Sequence, residues 1–365
     1  MHIDHIWLKD FRSYPSVDLE LTSGVCAVLG PNGVGKSNLL EAVAYLALLE
    51  SFRGAPTEAM IAEGSASAVV RATMRSEGRE QLVEAELVRS GRNRVLVNRQ
   101  RLNRTRDLAG AVRVTVFSPD DLALIKGGPG LRRGYLDHLM VAIDPRAETV
   151  RSEYDRALRQ RNALLKQTRG RLDEAATITL EVWDSKLVSA GEELTRRRVE
   201  LIDRIQPLVS TAYADVAGPV EPISLSYLAS WADVGLAAAL HAARADELRR
   251  GVTLVGPHRD DVLIELNQLP SRTHSSQGEQ RSLALALRLA AHRLVHEVVG
   301  SPPVLILDDV FSELDPGRSA ALLRSLPTGQ TLLSTAAGLP EGISADQVVR
   351  VSPGEAVDGP PSADG

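Results

Sequence analysis

The sequence predicts an α/β fold in which mixed β-sheets pack around a central helix, joined to a mainly helical second lobe. Three stretches predict it. Residues 25–49, VCAVLGPNGVGKSNLLEAVAYLALL, read as a short buried strand, a glycine-bearing turn and an apolar helix. Residues 68–97 alternate apolar and polar side chains with period two, as half-buried strands do. After Lys126-Gly127-Gly128-Pro129-Gly130 the pattern turns helical for over a hundred residues.

In chain order, residues 1–29 give strands HIDHIWLKDF, VDLELT and GVCAVLG, with Phe11-Arg12-Ser13-Tyr14 as a polar turn between the first two. The helix 38–49 is apolar on nearly every face, which predicts burial between layers. ASAVVRATM, QLVEAELVR and RVLVNR follow as antiparallel strands, with turn residues at 76–79 and 90–93. A strand at 112–117 ends in Ser118-Pro119-Asp120-Asp121. A helix opens at Asp144-Pro145 and runs to Gln167, and a second spans 174–205. The pair reads either as an antiparallel arm, about 45 Å long at 1.5 Å per residue, or as ordinary packed helices. A strand (223–228), a helix (233–250), strands at 253–255 and 262–266, a helix (277–299) and strands at 304–307 and 331–334 complete the pattern. Residues 1–117 and 253–352 are therefore expected as one lobe and 118–252 as the helical lobe with an arm at 145–206; helix 276–299 fits against either. The tail 353–365, rich in Pro, Gly, Ser and Asp, is expected to be disordered.

The loop at Gly30-Pro31-Asn32-Gly33-Val34-Gly35-Lys36-Ser37 has the spacing G-x-x-x-x-G-K-S, the phosphate-binding loop. Its glycines let successive backbone N–H groups curl around a phosphate, and the following helix adds its positive dipole end. Lys36 is placed to reach the β- and γ-phosphates of ATP, and the Ser37 hydroxyl to ligate Mg²⁺. A plain strand-to-helix turn would not require Lys-Ser there.

Two further elements fit the same chemistry. Val304-Leu305-Ile306-Leu307-Asp308-Asp309 is a fully apolar strand ending in two acids, as buried parallel strands with a ligand beyond their C-terminal ends read. Asp308 is then placed to hold Mg²⁺ and Asp309 to orient or deprotonate water. Ser275-Ser276-Gln277-Gly278-Glu279-Gln280 opens the long helix. Ser276 with Glu279 is a capping box, and the same helix start can also bind a phosphate. Ser312-Glu313-Leu314-Asp315 follows the acidic strand, and this order is the layout of ABC-class ATPases.

The chain resembles the RecF family, related to the ATPase heads of SMC proteins, from about Met1 to Val351. The resemblance is carried by Leu8-Lys9-Asp10-Phe11-Arg12-Ser13-Tyr14, the loop 30–37 with Asn38-Leu39-Leu40-Glu41-Ala42, Phe52-Arg53, and 126–137 with Arg132-Arg133 and Leu136-Asp137. Gly256-Pro257-His258-Arg259-Asp260-Asp261, Ser276 to Gln280 and Leu307 to Asp315 complete it. It implies an ATP-gated homodimer, monomeric without ATP, in which Lys36 and Asn38 of one copy and Ser276 and Gly278 of the other hold each ATP. Gln277 and Asp315 would lie at that interface. It further implies that Arg12 touches phosphates, that Ser118 or Asp120 stands where relatives carry a Mg²⁺-sensing glutamine, and that His258 contacts phosphate or DNA unless it merely serves a turn. Two departures point to slow hydrolysis: Asp309 where most ABC ATPases have Glu, and Thr335 where transporters carry a switch histidine. By resemblance the partners are gapped or junction DNA and the RecO and RecR proteins, acting toward RecA loading.

For DNA, residues 89–106 carry Arg89, Arg92, Arg94, Arg99, Arg101, Arg104 and Arg106 with no acid before Asp107 and no aromatic. That suits phosphate contact without sequence readout, and equally a solvated hairpin in an arginine-rich chain. Arg132-Arg133 and Arg196-Arg197-Arg198 are further candidates. The rest of the composition bounds the answer. The net charge of −5 means basic residues must be concentrated locally to meet DNA. No run reaches the roughly 18 apolar residues of a membrane span, and the single Cys26 fits a reducing cytoplasm. A transporter's ATP-binding subunit would not need the arginine-rich hairpin. A small-molecule phosphotransferase would have no use for the Ser-Gln-Gly helix start.

Overall fold

The computed structural model describes residues 1–365 except 77, 103–107, 109–110, 169, 219–221, 337, 340–341 and 360–365. The chain divides into two units, Met1–Leu122 with Thr211–Val220 and Arg281–Gly365, and Ala123–Ser210 with Glu221–Gln280. The expected lobes differ from this mainly at 253–280, which pack within the helical unit.

The first unit begins with β1 (His2–Phe11), β2 (Tyr14–Glu20), β3 (Val25–Leu29), α1 (Lys36–Leu48) and the short α2 (Thr57–Met60). Strands β4 (Ser67–Ser76), β5 (Arg79–Val88), β6 (Arg94–Val97), β7 (Gln100–Arg101) and β8 (Val114–Phe117) follow. One sheet runs β2-β1-β4-β5-β6-β7, antiparallel throughout. Its inward face is set by alternation: Val70, Ala72 and Met74 of β4 are buried, while Arg71 and Arg75 between them are exposed.

In the helical unit, α3 (Leu122–Lys126), which starts at the boundary, leads to α4 (Pro129–Ile143), α5 (Ala147–Gln167), α6 (Glu174–Ala217), β9 (Ile223–Leu228) and α7 (Leu236–Arg250). Strands β10 (Asp261–Leu266) and β11 (Leu269–Pro270) and the short α8 (Ser271–His274) precede α9 (Gln277–Val299). The first unit then closes with β12 (Val304–Asp308), α10 (Pro316–Ser325), β13 (Thr331–Thr335), β14 (Gln347–Ser352) and β15 (Glu355–Gly359). A second sheet in this unit runs β15-β14-β3-β13-β12-β8, parallel from β14 to β8.

Helix α1 lies between the two sheets, as its all-round apolarity predicts. Leu40, Val43, Ala44 and Leu46 share one buried cluster with Ile3, Ile6 and Met74 of the first sheet and Val28, Ile306 and Leu332 of the second. Each fully buried Leu or Val there contributes about 1.5–3 kcal/mol. The β3–α1 loop is thus fixed at both ends by core.

Three elements differ from the sequence reading. Helix α6 continues twelve residues past Ile205, through Pro207, to Ala217. Buried Val209, Ala212, Tyr213 and Val216 extend its apolar stripe, which offsets the hydrogen bond lost at proline. Residues 253–255 form a loop rather than a strand. Asn162 Oδ1 accepts from the Thr253 N–H at 2.7 Å and replaces a ladder partner. The supposedly disordered tail holds β15, paired antiparallel with β14. Between them Pro353-Gly354, with Gly354 at φ 81°, supplies the residues of a tight turn. Composition hid a hairpin there. The residues 360–365 lie outside the described ones.

Candidate functional site

The loop leaves β3, whose neighbours β13 and β14 pair with it in parallel. Gly35 has φ 119°, and a Cβ there would stand 2.8 Å from Ser13 Oγ, so neither the conformation nor the space admits a side chain. At Gly30 a Cβ would meet the Val351 carbonyl at 2.5 Å. Pro31, Asn32 and Gly33 at the tip are exposed. Helix α1 starts at Lys36 with no side-chain cap and no acid in its first turn. The Asn38 and Leu39 N–H groups donate to the Gly35 carbonyl at 2.9 and 3.1 Å, so those of Lys36 and Ser37 are the ones this helix start offers an anion. Lys36 is buried, and its Nζ donates to the carbonyls of Gly30 at 2.7 Å and Pro31 at 2.9 Å.

Ser37 donates to Asp308 Oδ1 at 2.8 Å, and Ser334 donates to the same oxygen at 2.7 Å. Burial pushes the Asp308 carboxyl up; the two hydroxyls and the Arg53 charge pull it back, and Asp309 pushes it further. A buried carboxylate flanked by two hydroxyls fits a divalent cation, whose charge would offset the burial. Asp309 sits at φ 51°, a left-handed conformation costly for a residue with a Cβ, and its N–H donates to Ser334 Oγ at 2.9 Å. Ser334 escaped the sequence reading because only the parallel pairing of β12 with β13 sets Asp308 opposite it.

Around this site the structure shows what holds Arg12. Its guanidinium holds Glu41, which is fully buried, at 2.7 and 2.8 Å and donates to the Ala59 carbonyl at 2.8 Å. Arg12 braces the loop with three of its five N–H groups, and its expected phosphate contact stays a proposal. The exposed cation here is Arg53, whose Nη1 donates to Asn38 Oδ1 at 3.2 Å and whose charge reaches Asp308. The Phe52-Arg53 pair gave the only sequence signal for it.

The long helix starts as its capping box predicts. Ser276 N–H donates to Glu279 Oε2 at 2.6 Å, and Glu279 N–H donates to Ser276 Oγ at 3.3 Å. Ser276 and Gln277 are exposed and Gly278 is half-buried. Asp315 is exposed and caps α10, accepting from the Arg318 N–H at 2.9 Å. Ser118 caps a short turn, where its N–H donates to Asp121 Oδ2 at 2.9 Å; Asp120 is exposed. Asp121 in turn accepts from Arg288.

Among the basic candidates, Arg92, Arg94, Arg99 and Arg101 are all exposed along β6 and β7. Arg94 approaches Glu86 at 3.4 Å. Arg89 is spent on the carbonyls of Ile61, Ala62 and Ser65, and Arg104 and Arg106 lie outside the described residues. The assignment of Arg132 to DNA is overturned: it is buried, grips Asp261 at 2.7 and 2.9 Å and donates to the carbonyls of Leu124 and Gly127. Arg133 is half-buried and donates to the Asp260 carbonyl at 2.6 Å. Arg196 and Arg197 pair with Glu193, while Arg198 is buried against Asp137. The sequence GPHRDD is a structural hub of the helical unit. Arg198 donates to the Pro257 carbonyl, and Asp260 accepts from Tyr227 Oη at 2.9 Å and Trp231 Nε1 at 3.0 Å.

His258 serves the turn, between Tyr154 Oη at 2.7 Å and the Thr253 carbonyl at 3.2 Å. Burial first, then Arg259, Arg133 and Arg161, push it down to about 4, and burial with His296 and Arg293 does the same to His292. Both imidazoles are neutral when folded and take a proton more readily when unfolded. Their stabilisation is full above pH ~6.5 and is lost as pH falls toward 4, by up to about 3 kcal/mol each. The Asp155 and Asp260 carboxyls, pushed up by burial, act in the opposite direction. The expected outcome is that His258→Gln flattens the pH dependence of urea unfolding between pH 7 and 4.5 relative to the parent chain. Parallel curves would contradict the neutral, buried imidazole.

Known proteins share this layout. Residues 2–336 match the RecF/RecN/SMC N terminal domain family. The chain is 46% identical over 352 residues to the DNA replication and repair protein RecF of Streptomyces avermitilis, covering 92% of this chain and 94% of that one. It is 44% identical over 356 residues to RecF of Frankia alni, at 92% and 93% coverage. Among solved structures, a recombination mediator RecF–ATP complex of the RecFOR pathway superposes with a TM-score of 0.91 at 30% identity, covering 98% of this chain and 97% of that one. A Pyrococcus furiosus Smc head, at 18% identity and a TM-score of 0.57 over 98% and 96% of the two chains, shares the fold. The chain belongs to the RecF family of DNA replication and repair proteins, within the ATPase group that includes the SMC heads.

Proposed function

We propose that this chain is an ATP-gated, DNA-binding recombination mediator that dimerises on ATP and resets by slow hydrolysis. The observation that carries it is an uncapped helix start with Lys36 seated in its loop and Ser37 bonded to Asp308, in a chain related over nearly its whole length to a RecF–ATP complex. Lys36 and the N–H groups of Gly33 and Gly35 would bind the β- and γ-phosphates, with Asn32 at the loop tip. Ser37 and Asp308 would hold Mg²⁺, which supplies charge neutralisation on the phosphates when bound. Arg53 would add a cation beside Arg12, which would keep its phosphate contact, and Asn38 aligns Arg53. Asp309 orients the attacking water; one methylene shorter than glutamate, it favours a long-lived ATP state. Ser276, Gln277, Gly278 and Asp315 would complete the site of a second copy, with the capping box of Ser276 compatible with that role.

DNA would meet the exposed Arg92, Arg94, Arg99 and Arg101 through its phosphates, without base readout. RecO and RecR are the partners by pathway, at gaps where RecA is loaded. Fluorescence anisotropy on a gapped duplex tests the DNA assignment. The triple variant Arg92→Glu, Arg94→Glu, Arg99→Glu is expected to weaken binding at least tenfold and to lower the salt slope by about one unit for each phosphate left unneutralised. Arg133→Gln is expected to leave both unchanged. An unaltered salt titration in the triple variant would remove this stretch from the DNA surface.

A further inference from the structure

Six residues close a ring beside the phosphate loop. Glu41 accepts both Arg12 Nε and Nη2, and its Oε1 also takes the Ser51 hydroxyl. Ser51 Oγ accepts the Arg53 N–H at 3.1 Å, and Arg53 Nη1 donates to Asn38 Oδ1 at 3.2 Å. Asn38 Nδ2 donates to Ser13 Oγ at 3.0 Å, and Ser13 is the chain neighbour of Arg12. Next to it, Tyr14 Oη donates to the Gly35 carbonyl at 2.9 Å. The ring therefore ties three segments together: the β1–β2 turn, the first turns of α1, and residues 51–53. Glu41 is its only carboxylate and its most buried member, with no measurable exposure. Arg53 is its exposed member, held through its backbone by Ser51 and through its guanidinium by Asn38.

We propose that Glu41 is a positioning residue of the nucleotide site: through Ser51 it fixes Arg53, and through Arg12 it fixes the turn that packs on the loop. This role rests on the loop being a nucleotide site. Glu41 touches neither the loop's phosphate-facing N–H groups nor Asp308. It sets where the Arg53 cation stands relative to them. Because Asn38, which holds the Arg53 guanidinium, directly follows Ser37 of the loop, the placement of Arg53 bears on the metal-side phosphates, and its loss should fall on ATP more than on ADP.

Glu41→Gln leaves Arg12 with a buried, half-compensated charge, so Ser51→Ala carries the test, since it breaks only the branch to Arg53. Calorimetric titration of the full chain with MgATP and MgADP is the measurement, in the parent, Ser51→Ala, Arg53→Gln and the double variant. Ser51→Ala is expected to weaken ATP about tenfold and ADP less than about threefold, the scale of one charged contact misplaced. In the Arg53→Gln background the same change should cost nothing further, because its effect runs through that guanidinium. Equal losses for ATP and ADP, or losses that multiply in the double variant, would reduce Glu41 and Ser51 to a structural anchor. A parent chain that fails to bind ATP at all would instead remove the nucleotide site itself.

Discussion

Lys36→Met is expected to lower ATP affinity about 100-fold or more while leaving the fold intact. The side chain is buried, and among the described residues its ammonium donates to two carbonyls of its own loop, Gly30 and Pro31. Those carbonyls hold the cation in place before any ligand arrives. Two charge-assisted contacts to phosphate oxygens, at about 1.5–3 kcal/mol each, account for two orders of magnitude or more. Methionine keeps the length and apolar stem, and the carbonyls it strands lie beside the exposed loop tip, where water can reach them. Titration with a fluorescent ATP analogue, alongside a melting curve, checks both halves. Near-parental affinity would mean that the loop does not use Lys36 for phosphate.

Arg161→Met is expected to destabilise the helical unit by about 3–5 kcal/mol, the cost of stranding a buried charge. Arg161 has no exposed surface and joins three elements: Nη2 to Glu247 at 2.6 Å, Nε to Asp184 at 2.6 Å, and Nη1 to Thr253 Oγ1 at 2.8 Å. Asp184 retains Arg244 as a partner, whereas Glu247 is completely buried and, among the described residues, its carboxylate keeps the Leu254 N–H, at 2.7 Å. Replacing Glu247 by Leu in the same chain should restore part of the loss, since an apolar pair avoids the unpaired charge. Urea unfolding of the three chains measures it. A loss below about 1 kcal/mol for Arg161→Met would show that water already screens the pair.

What the sequence could reveal depended on how local the physics was. The phosphate loop, the apolar α1 and the acidic end of β12 each state their structure within a dozen residues, and all three were legible. The capping box at Ser276 is equally local. Arg132 was misread, and the Glu41 partner of Arg12 went unseen, because a positive charge looks alike whether it faces solvent or a buried carboxylate; their partners, Asp261 and Glu41, lie 129 and 29 residues away. Ser334 was invisible for the same reason: its meaning comes from the strand beside it. The β14–β15 hairpin is the reverse case, since Pro353-Gly354 between two alternating stretches was a local signal that composition outweighed.

If each chain carries half of a composite ATP site, nucleotide alone should control its oligomeric state. Multi-angle light scattering on the full chain, with MgATP, MgADP or no nucleotide, reads that state. ATP, and neither ADP nor the empty site, should convert the monomer to a dimer, more completely when duplex DNA is present. Ser276→Arg should bind ATP with parental affinity and stay monomeric. A chain that remains monomeric with saturating ATP and DNA, or a Ser276→Arg variant that still dimerises, would contradict the composite site.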